Sequence, residues 1–312
     1  MTRRRIIAGA CAIALVLAVG AVYVVWRGAS AGTAAAGPPL DLTAAGSVVY
    51  VSGDGLTRQT GSDATGPACQ RTYAAAGTLS CLYGLGPAFS AELVVYDVRL
   101  AERLRLPIWG TPSRTRVSPS GNLVAWTVFR EGDSYLAHGR FSTTAGIYNL
   151  RTGEHHGSLE DYTSFVDGVR VTAEDVNYWG ITFAADDVTF YATMSTGGRT
   201  WLMRGDMAAR TLTAMRENVE CPSLSPDGTH IAYKRRTGER WRLHVLDLAS
   251  GTDVALAETG HVDDQPAWLP GGEIGYAKPH EGRPAVFSVP ADGSGEPRML
   301  FAGSSPAAIG TA

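Results

Sequence analysis

The sequence predicts an all-β chain closed into a six-bladed β-propeller, and three observations carry that reading. One unit of about 40 residues can be read strand by strand, the unit recurs with decay along the chain, and the two ends hold fragments of one further copy. The sharpest unit is residues 221–258, CPSLSPDGTHIAYKRRTGERWRLHVLDLASGTDVALAE. It contains a short strand, an SPDG turn, an alternating strand, a polar loop, LHVLDL, a turn at ASG and a last strand. Four antiparallel strands in this length make one propeller blade.

The other units follow the same order. The first and most degenerate is TYAAAGTLSCL at 72–82 with LVVYDVRLAERL at 93–104. RVSPSGNLVAW at 116–126 precedes GIYNLRTGE at 146–154, and ITFAADDVTFYA at 181–192 precedes WLMRGDMAARTL at 201–212. PAWLPGGEIGY at 266–276 is followed by AVFSVPADGSGEP at 285–297. The turn positions Pro119, Ala185, Pro226 and Pro270 lie 66, 41 and 44 residues apart, so the long first interval holds an insertion around 155–178. Five units are visible in this way. GSSPAAIG at 303–310 matches an innermost strand, with Pro306 following Pro266 by 40, and SVVYVSGDGLTRQT at 47–60 supplies two further strands. A sixth blade built from both termini, with three or four strands, closes the ring and removes free sheet edges.

SPDGTHIAY followed by LHVLDLASG resembles the WD-like repeat of TolB-like propellers, and the resemblance extends over about residues 46–310. The chain also resembles membrane-tethered TolB-like translocation proteins of actinobacteria. The resemblance implies a six-bladed propeller acting as a binding module. TolB proper carries a separate α/β domain ahead of its propeller, where only a short tether stands here. A role that needs that domain, Tol–Pal partnership across a Gram-negative envelope included, is therefore not implied.

Ahead of the repeats, Arg3, Arg4 and Arg5 precede an uncharged apolar run at 6–26. As a helix, a run of this length spans about 32 Å, enough to cross a bilayer. It reads as an uncleaved anchor with residues 1–5 cytoplasmic, 27–45 a flexible tether and 46–312 an extracytoplasmic propeller. Ala29-Ser30-Ala31 offers the alternative of cleavage and secretion. An exterior location admits disulfides. Cys69 and Cys81 lie symmetrically about Ala75, which predicts a cross-strand bond within the first full blade, and Cys221 is left as a buried thiol.

Composition excludes other classes. Apolar residues make up 45% of the chain, which rules out disorder. Only two of the 27 basic residues are lysines, a bias expected of a GC-rich coding genome. All 30 acidic residues lie beyond residue 40 with 23 of the basic ones, so that part carries 23 − 30 = −7, the wrong sign for a nucleic-acid binder. HExxH and CxxC are absent, no cofactor is implied, and His155-His156 reads as a surface loop. The recurring Asp97, Asn149, Asp206 and Asp247 read as turn caps, as does Asp227 of the SPDG turn.

The segments joining one blade to the next share a face with the loops between second and third strands, opposite the SPDG turns. There the sequence places Asp175, Asn177, Tyr178, Trp179, Glu220, His261, Asp263, Asp264 and Gln265, an acidic mouth over the channel. It is a candidate site for a basic peptide, a cation or a polar envelope ligand. A second candidate is the insertion at 131–144, through Tyr135, His138, Arg140 and Phe141. The functional expectation is a non-catalytic, membrane-tethered module binding an envelope protein or polar ligand. The alternative is a propeller enzyme, a glycan lyase or lactonase-like hydrolase, using Asp175, Asp263 or Asp264 as acid, base or metal ligand.

Overall fold

The computed structural model describes residues 37–86, 90–130 and 142–310, and Pro39–Ala312 form one compact unit. Six sheets are arranged as blades, each with four antiparallel strands running from an innermost to an outermost one. Blade 1 consists of Arg71–Ala75, Thr78–Gly84, Ser90–Tyr96 and Glu102–Trp109. Blade 2 consists of Thr111–Val117, Leu123–Phe129, Thr143–Asn149 and His155–His156. Blade 3 is Asn177–Phe183, Thr189–Thr196, Arg199–Asp206 and Thr211–Glu217. Blade 4 is Glu220–Leu224, His230–Thr237, Arg240–Asp247 and Asp253–Ala255. Blade 5 is Ala267–Leu269, Glu273–His280, Arg283–Pro290 and Arg298–Ala302. Blade 6 takes Ser304–Ala308 from one end of the chain and Val48–Val51, Leu56–Gln59 and Thr65–Ala68 from the other.

The closing blade is thus four-stranded, with Val48 opposite Ala308 and Val49 opposite Ala307 in antiparallel register. The packed chain starts before the expected tether boundary at 45. Leu40 and Leu42 are buried among Val49, Ala64, Leu79 and Ile309, and the Asp41 N–H donates to Gln59 Oε1 at 2.8 Å. Burial of two leucines outweighs the small, Pro/Gly-punctuated composition that suggested a flexible linker there.

The insertion after blade 2 widens blade 3. Thr163–Val166 pairs in parallel with the outermost strand, Val169–Arg170 pairs beyond it, and a 3-10 turn at Leu159–Asp161 leads in. His155-His156 is not the expected surface loop. Those residues form the outer strand of blade 2, and His156 is buried with Nδ1 hydrogen-bonded to the Tyr162 hydroxyl at 2.9 Å.

Core packing follows from blade geometry, in which every sheet buries both faces against its neighbours. Six apolar layers separate the blades. Leu123, Ile147, Phe190 and Met194 fill the space between blades 2 and 3. The thinnest layer, between blades 5 and 6, holds Val48, Leu269 and Ala308 with Leu300 and Phe301. Near the axis the backbones approach closely: a Cβ on Gly180, whose φ is +67°, would stand 2.7 Å from Cys221 Cα.

Turn chemistry matches the repeat pattern. Asp97 Oδ1 accepts from the N–H groups of Arg99 and Ala101, Asn149 Oδ1 from Arg151 and Thr152, and Asp247 Oδ1 from Ala249 and Ser250. Asp206 caps Ala209 in the same way. Asp227 accepts from the Ser225 hydroxyl and from Thr229, which hold its carboxyl down at about 2.

Cys69 and Cys81 are disulfide-bonded, but not as a cross-strand pair within blade 1. The hairpin turns at Ala76-Gly77, both at positive φ, so Cys81 lies opposite Thr72. Cys69 lies in the connection from blade 6, its N–H donating to the Gly55 carbonyl of that blade. The bond therefore ties blade 6 to blade 1. Symmetry about Ala75 suggested the partners correctly and the turn wrongly, because Gly77 draws the two-residue turn toward itself.

Deletion of residues 303–312 removes the innermost strand of blade 6 and exposes the backbone of Val48–Val51. The expected outcome is loss of the cooperative melting transition and of solubility, checked by calorimetry beside the full chain. An unchanged melting temperature would contradict closure through this strand.

Replacing Cys69 and Cys81 together with Ser should leave the fold intact. With 12 residues separating the cysteines, stability should fall by ~3 kcal/mol in denaturant titration.

Candidate functional site

The connection face gathers the segments between blades and the hairpins between second and third strands. Hydrogen bonds across it show the grouping: Asp175, ahead of blade 3, accepts from the Thr196 hydroxyl and the Gly197 N–H of that blade's hairpin. Asn218, ahead of blade 4, bonds the backbone of Arg236. On the opposite face, Asp187 bonds Ser120 and Asn122 between the turns of blades 2 and 3.

The segment joining blades 4 and 5 dominates the axial end of this face. Lys234, fully buried on blade 4, donates from Nζ to Asp263 Oδ1 at 2.6 Å and lies 4.5 Å from the centre of the Trp241 ring. Trp241 Nε1 donates to the buried Glu220 at 2.8 Å. Burial opposes ionisation of Asp263, but the Lys234 and Arg114 cations outweigh it and hold the carboxyl below its ordinary range. The next carboxylate, Asp264, accepts from the Ala277 N–H at 2.9 Å and lies 3.6 Å from Arg114 Nη2. Gln265 is buried and donates to the carbonyls of Pro222 at 2.8 Å and Ile181 at 3.3 Å, linking blades 4 and 3. His261 is exposed and lies beside Trp241 with its ring tilted, ring centres 5.2 Å apart.

A second, half-buried ion pair fastens the same segment from blade 5. Glu258 accepts from Tyr276 and from Lys278 Nζ, and the Gly260 N–H donates to its other oxygen at 2.7 Å. Lys234 and Lys278, the two lysines of the chain, thus occupy one repeat position 44 residues apart and do the same work.

Of the remaining expected residues, Asn177 is buried and its Oδ1 accepts from the Thr143 N–H at 2.9 Å. Tyr178 is buried with its hydroxyl 2.6 Å from Ser164 Oγ, and Trp179 is fully buried. Tyr135, His138, Arg140 and Phe141 lie outside the described residues. The strands flanking them, Leu123–Phe129 and Thr143–Asn149, end on the connection face.

Sequence reasoning passed over two features. Arg114 and Arg116 sit at alternate positions on the innermost strand of blade 2 and reach across the axis to blade 5, where Asp263 and Pro266 offer carbonyls at 3.3 and 3.2 Å. The spacing R-x-R in SRTRV, where other units carry small or apolar residues, was the available signal. The second feature is Trp109, 63% exposed at the end of blade 1's outer strand, with exposed Leu85 beside it. Ser90 pairs with Trp109 and accepts the Leu85 N–H, so both side chains stand at one rim of the connection face. That rim adjoins the root of the 131–141 segment, since Thr111 lies opposite Phe129. Trp109 sits just before a glycine at the end of a strand, a place no repeat pattern marks.

No group of three or more His, Cys, Asp or Glu side chains able to hold a metal occurs among the described residues. No helix among them is long and apolar enough to cross a membrane, and residues 6–26 lie outside them.

No protein-family model matches the chain. Among curated proteins it is similar to the TolB homologue of Chlorobaculum tepidum, 33% identical over 93 residues, which covers 30% of this chain and 21% of that protein. The chain therefore matches only about a fifth of the length of that relative. Among solved structures, TolB from Acinetobacter baumannii aligns with a TM-score of 0.61 at 17% identity, covering 87% of this chain and 68% of that one. A putative TolB from Agrobacterium tumefaciens aligns at 0.51 with 12% identity, covering 83% and 90%. The propeller is TolB-like in repeat and in fold.

The Lys234–Asp263 pair makes a sharp prediction. Lys234→Met leaves Asp263 without its main counter-charge and should cost about 3–5 kcal/mol in denaturant titration. Lys234→Met with Asp263→Leu removes both charges and should recover most of that loss. The carboxyl of Asp263 is held low by folding, so its contribution is complete above the usual carboxylate range and lost as pH falls through the lowered value. The variant lacking both charges should accordingly show a shallower loss of stability on acidification.

Proposed function

We propose that the chain is a non-catalytic, extracytoplasmic binding module, held at the membrane by residues 6–26, that engages an envelope protein through its connection face. One observation carries the reading: Trp109, with Leu85, stands exposed at the rim of that face. A tryptophan open to water costs hydration free energy and supplies the large amphipathic surface on which binding hot spots centre. The neighbouring root of 131–141 extends the same rim, and similarity to TolB proteins supports an envelope setting.

The carboxylates considered for catalysis argue for the binding module over the lyase or lactonase reading. Asp263 is ion-paired and Asp175 is capped by Thr196 and Gly197, and both carboxyls lie below their ordinary range. A general acid or base at neutral pH needs the opposite shift. Asp264 is spent on Ala277 and Arg114.

Affinity capture from membranes, with mass spectrometry of what co-purifies, tests the reading. Trp109→Ala, and separately a Gly/Ser replacement of residues 131–141, should each lose the partner held by the wild-type chain. For Trp109→Ala the affinity should fall roughly thirtyfold, about 2 kcal/mol. Glu296→Gln, exposed on the opposite face, should change nothing. Retention by both connection-face variants, with loss at Glu296→Gln, would move the site to the other face.

A further inference from the structure

Along the axis, between blades 1, 2, 5 and 6, lies a small, half-open cavity. Its walls include Arg71, Tyr73, Arg114, Arg116, Asp264 and Ser305. Three guanidinium groups face one carboxylate there, and that carboxylate is already bonded to Ala277 and near Arg114.

Arg116 is the anomaly. It is only 4% exposed, and no carboxylate lies within ion-pair distance of it among the described residues. Nη2 donates to the Pro266 carbonyl at 3.2 Å and the guanidinium carbon stands 4.2 Å from the centre of the Tyr73 ring. Nε is buried with no hydrogen-bond partner among the described residues. A guanidinium stays charged at any physiological pH, so it cannot relieve burial by losing its proton. A buried cation without a counter-ion is costly, and a buried N–H without an acceptor adds to the cost.

We propose that this cavity is a carboxylate-binding site organised by Arg116. The guanidinium carries its N–H groups in one plane, the arrangement a carboxylate accepts from, and ring contact with Tyr73 fixes that plane. Arg71 and Arg114 add positive potential around the same space. The cavity is of a size for one carboxylate group only, whether it comes from the end of a small acid or from an acidic side chain or C-terminus presented by a peptide. Neither source depends on the Trp109 rim, so this site and the envelope-protein reading stand or fall separately.

Isothermal titration of the full-length protein in detergent, with succinate and with tetraglutamate, tests the proposal. At least one of the two should bind saturably, with sodium chloride and phosphate at matched ionic strength giving no comparable signal. Tighter binding of succinate assigns the site to a free acid, and tighter binding of tetraglutamate assigns it to a polypeptide. Arg116→Gln should weaken binding at least tenfold. Should that variant fail to fold, Arg116→Lys keeps the charge without the fork and should show a similar loss. Arg199→Gln, an exposed arginine paired with Glu217, should bind as the wild type does. Binding undiminished by either change at Arg116, equal binding of phosphate, or no binding of either carboxylate would overturn the proposal.

Discussion

Everything in this molecule depends on the pairing of Ser304–Ala308 with Val48–Val51. A propeller blade has no core of its own; its two faces are buried only because a blade stands on each side. An open arc would leave the outer face of its first and last blades in water, and the apolar layers there would be lost. The seam is also where the packing is thinnest, since the layer between blades 5 and 6 holds few side chains. The disulfide compensates on the other side of blade 6, joining Cys69 of its connection to Cys81 of blade 1. The seam blade is thus held by strand pairing at its inner edge and by a covalent bond to its neighbour.

Closure has an electrostatic counterpart at the axis. Innermost strands present backbone groups toward a narrow channel, where few water molecules fit and polar groups must find protein partners. Arg114 and Arg116 span from blade 2 to blade 5, on opposite sides of a ring of six, and Gln265 ties the same connection to blades 3 and 4. The two lysines serve the same connection from either side. In a chain where nearly every cation is arginine, both lysines sit where a compact ammonium is needed: Lys234 over Trp241 and ion-paired with Asp263, Lys278 over Phe287 and ion-paired with Glu258. A planar guanidinium with five donors would leave donors unpaired in those slots.

This explains what could be read from the amino acids and what could not. The blades were legible because turn residues recur at a fixed period, and Asp97, Asn149, Asp206 and Asp247 cap turns as their repetition implied. The shared sixth blade was legible because its two fragments lack partners elsewhere. The acidic mouth was not, because a carboxylate in a sequence carries no mark of its partner. Asp263 and Asp264 look like a free acidic pair until Lys234, 29 residues away, and Arg114, about 150 away, are placed beside them. Long-range partners within blades follow from the repeat. Contacts across the axis join residues that no repeat relates.

A division of labour on the connection face follows. Residues near the axis are committed to holding the ring, as the bonds of Asp263, Asp264, Gln265 and Glu220 show. A change there alters the fold before it alters recognition. Residues at the rim of blades 1 and 2 have no such duty: Trp109 and Leu85 contribute little to any apolar layer, and the turn chemistry that recurs on the opposite face does not constrain them. A surface can be selected for a partner only where it is not already needed for closure. In this propeller that freedom lies at the rim, while at the axis the demands of closure leave Arg116 without a carboxylate partner among the described residues.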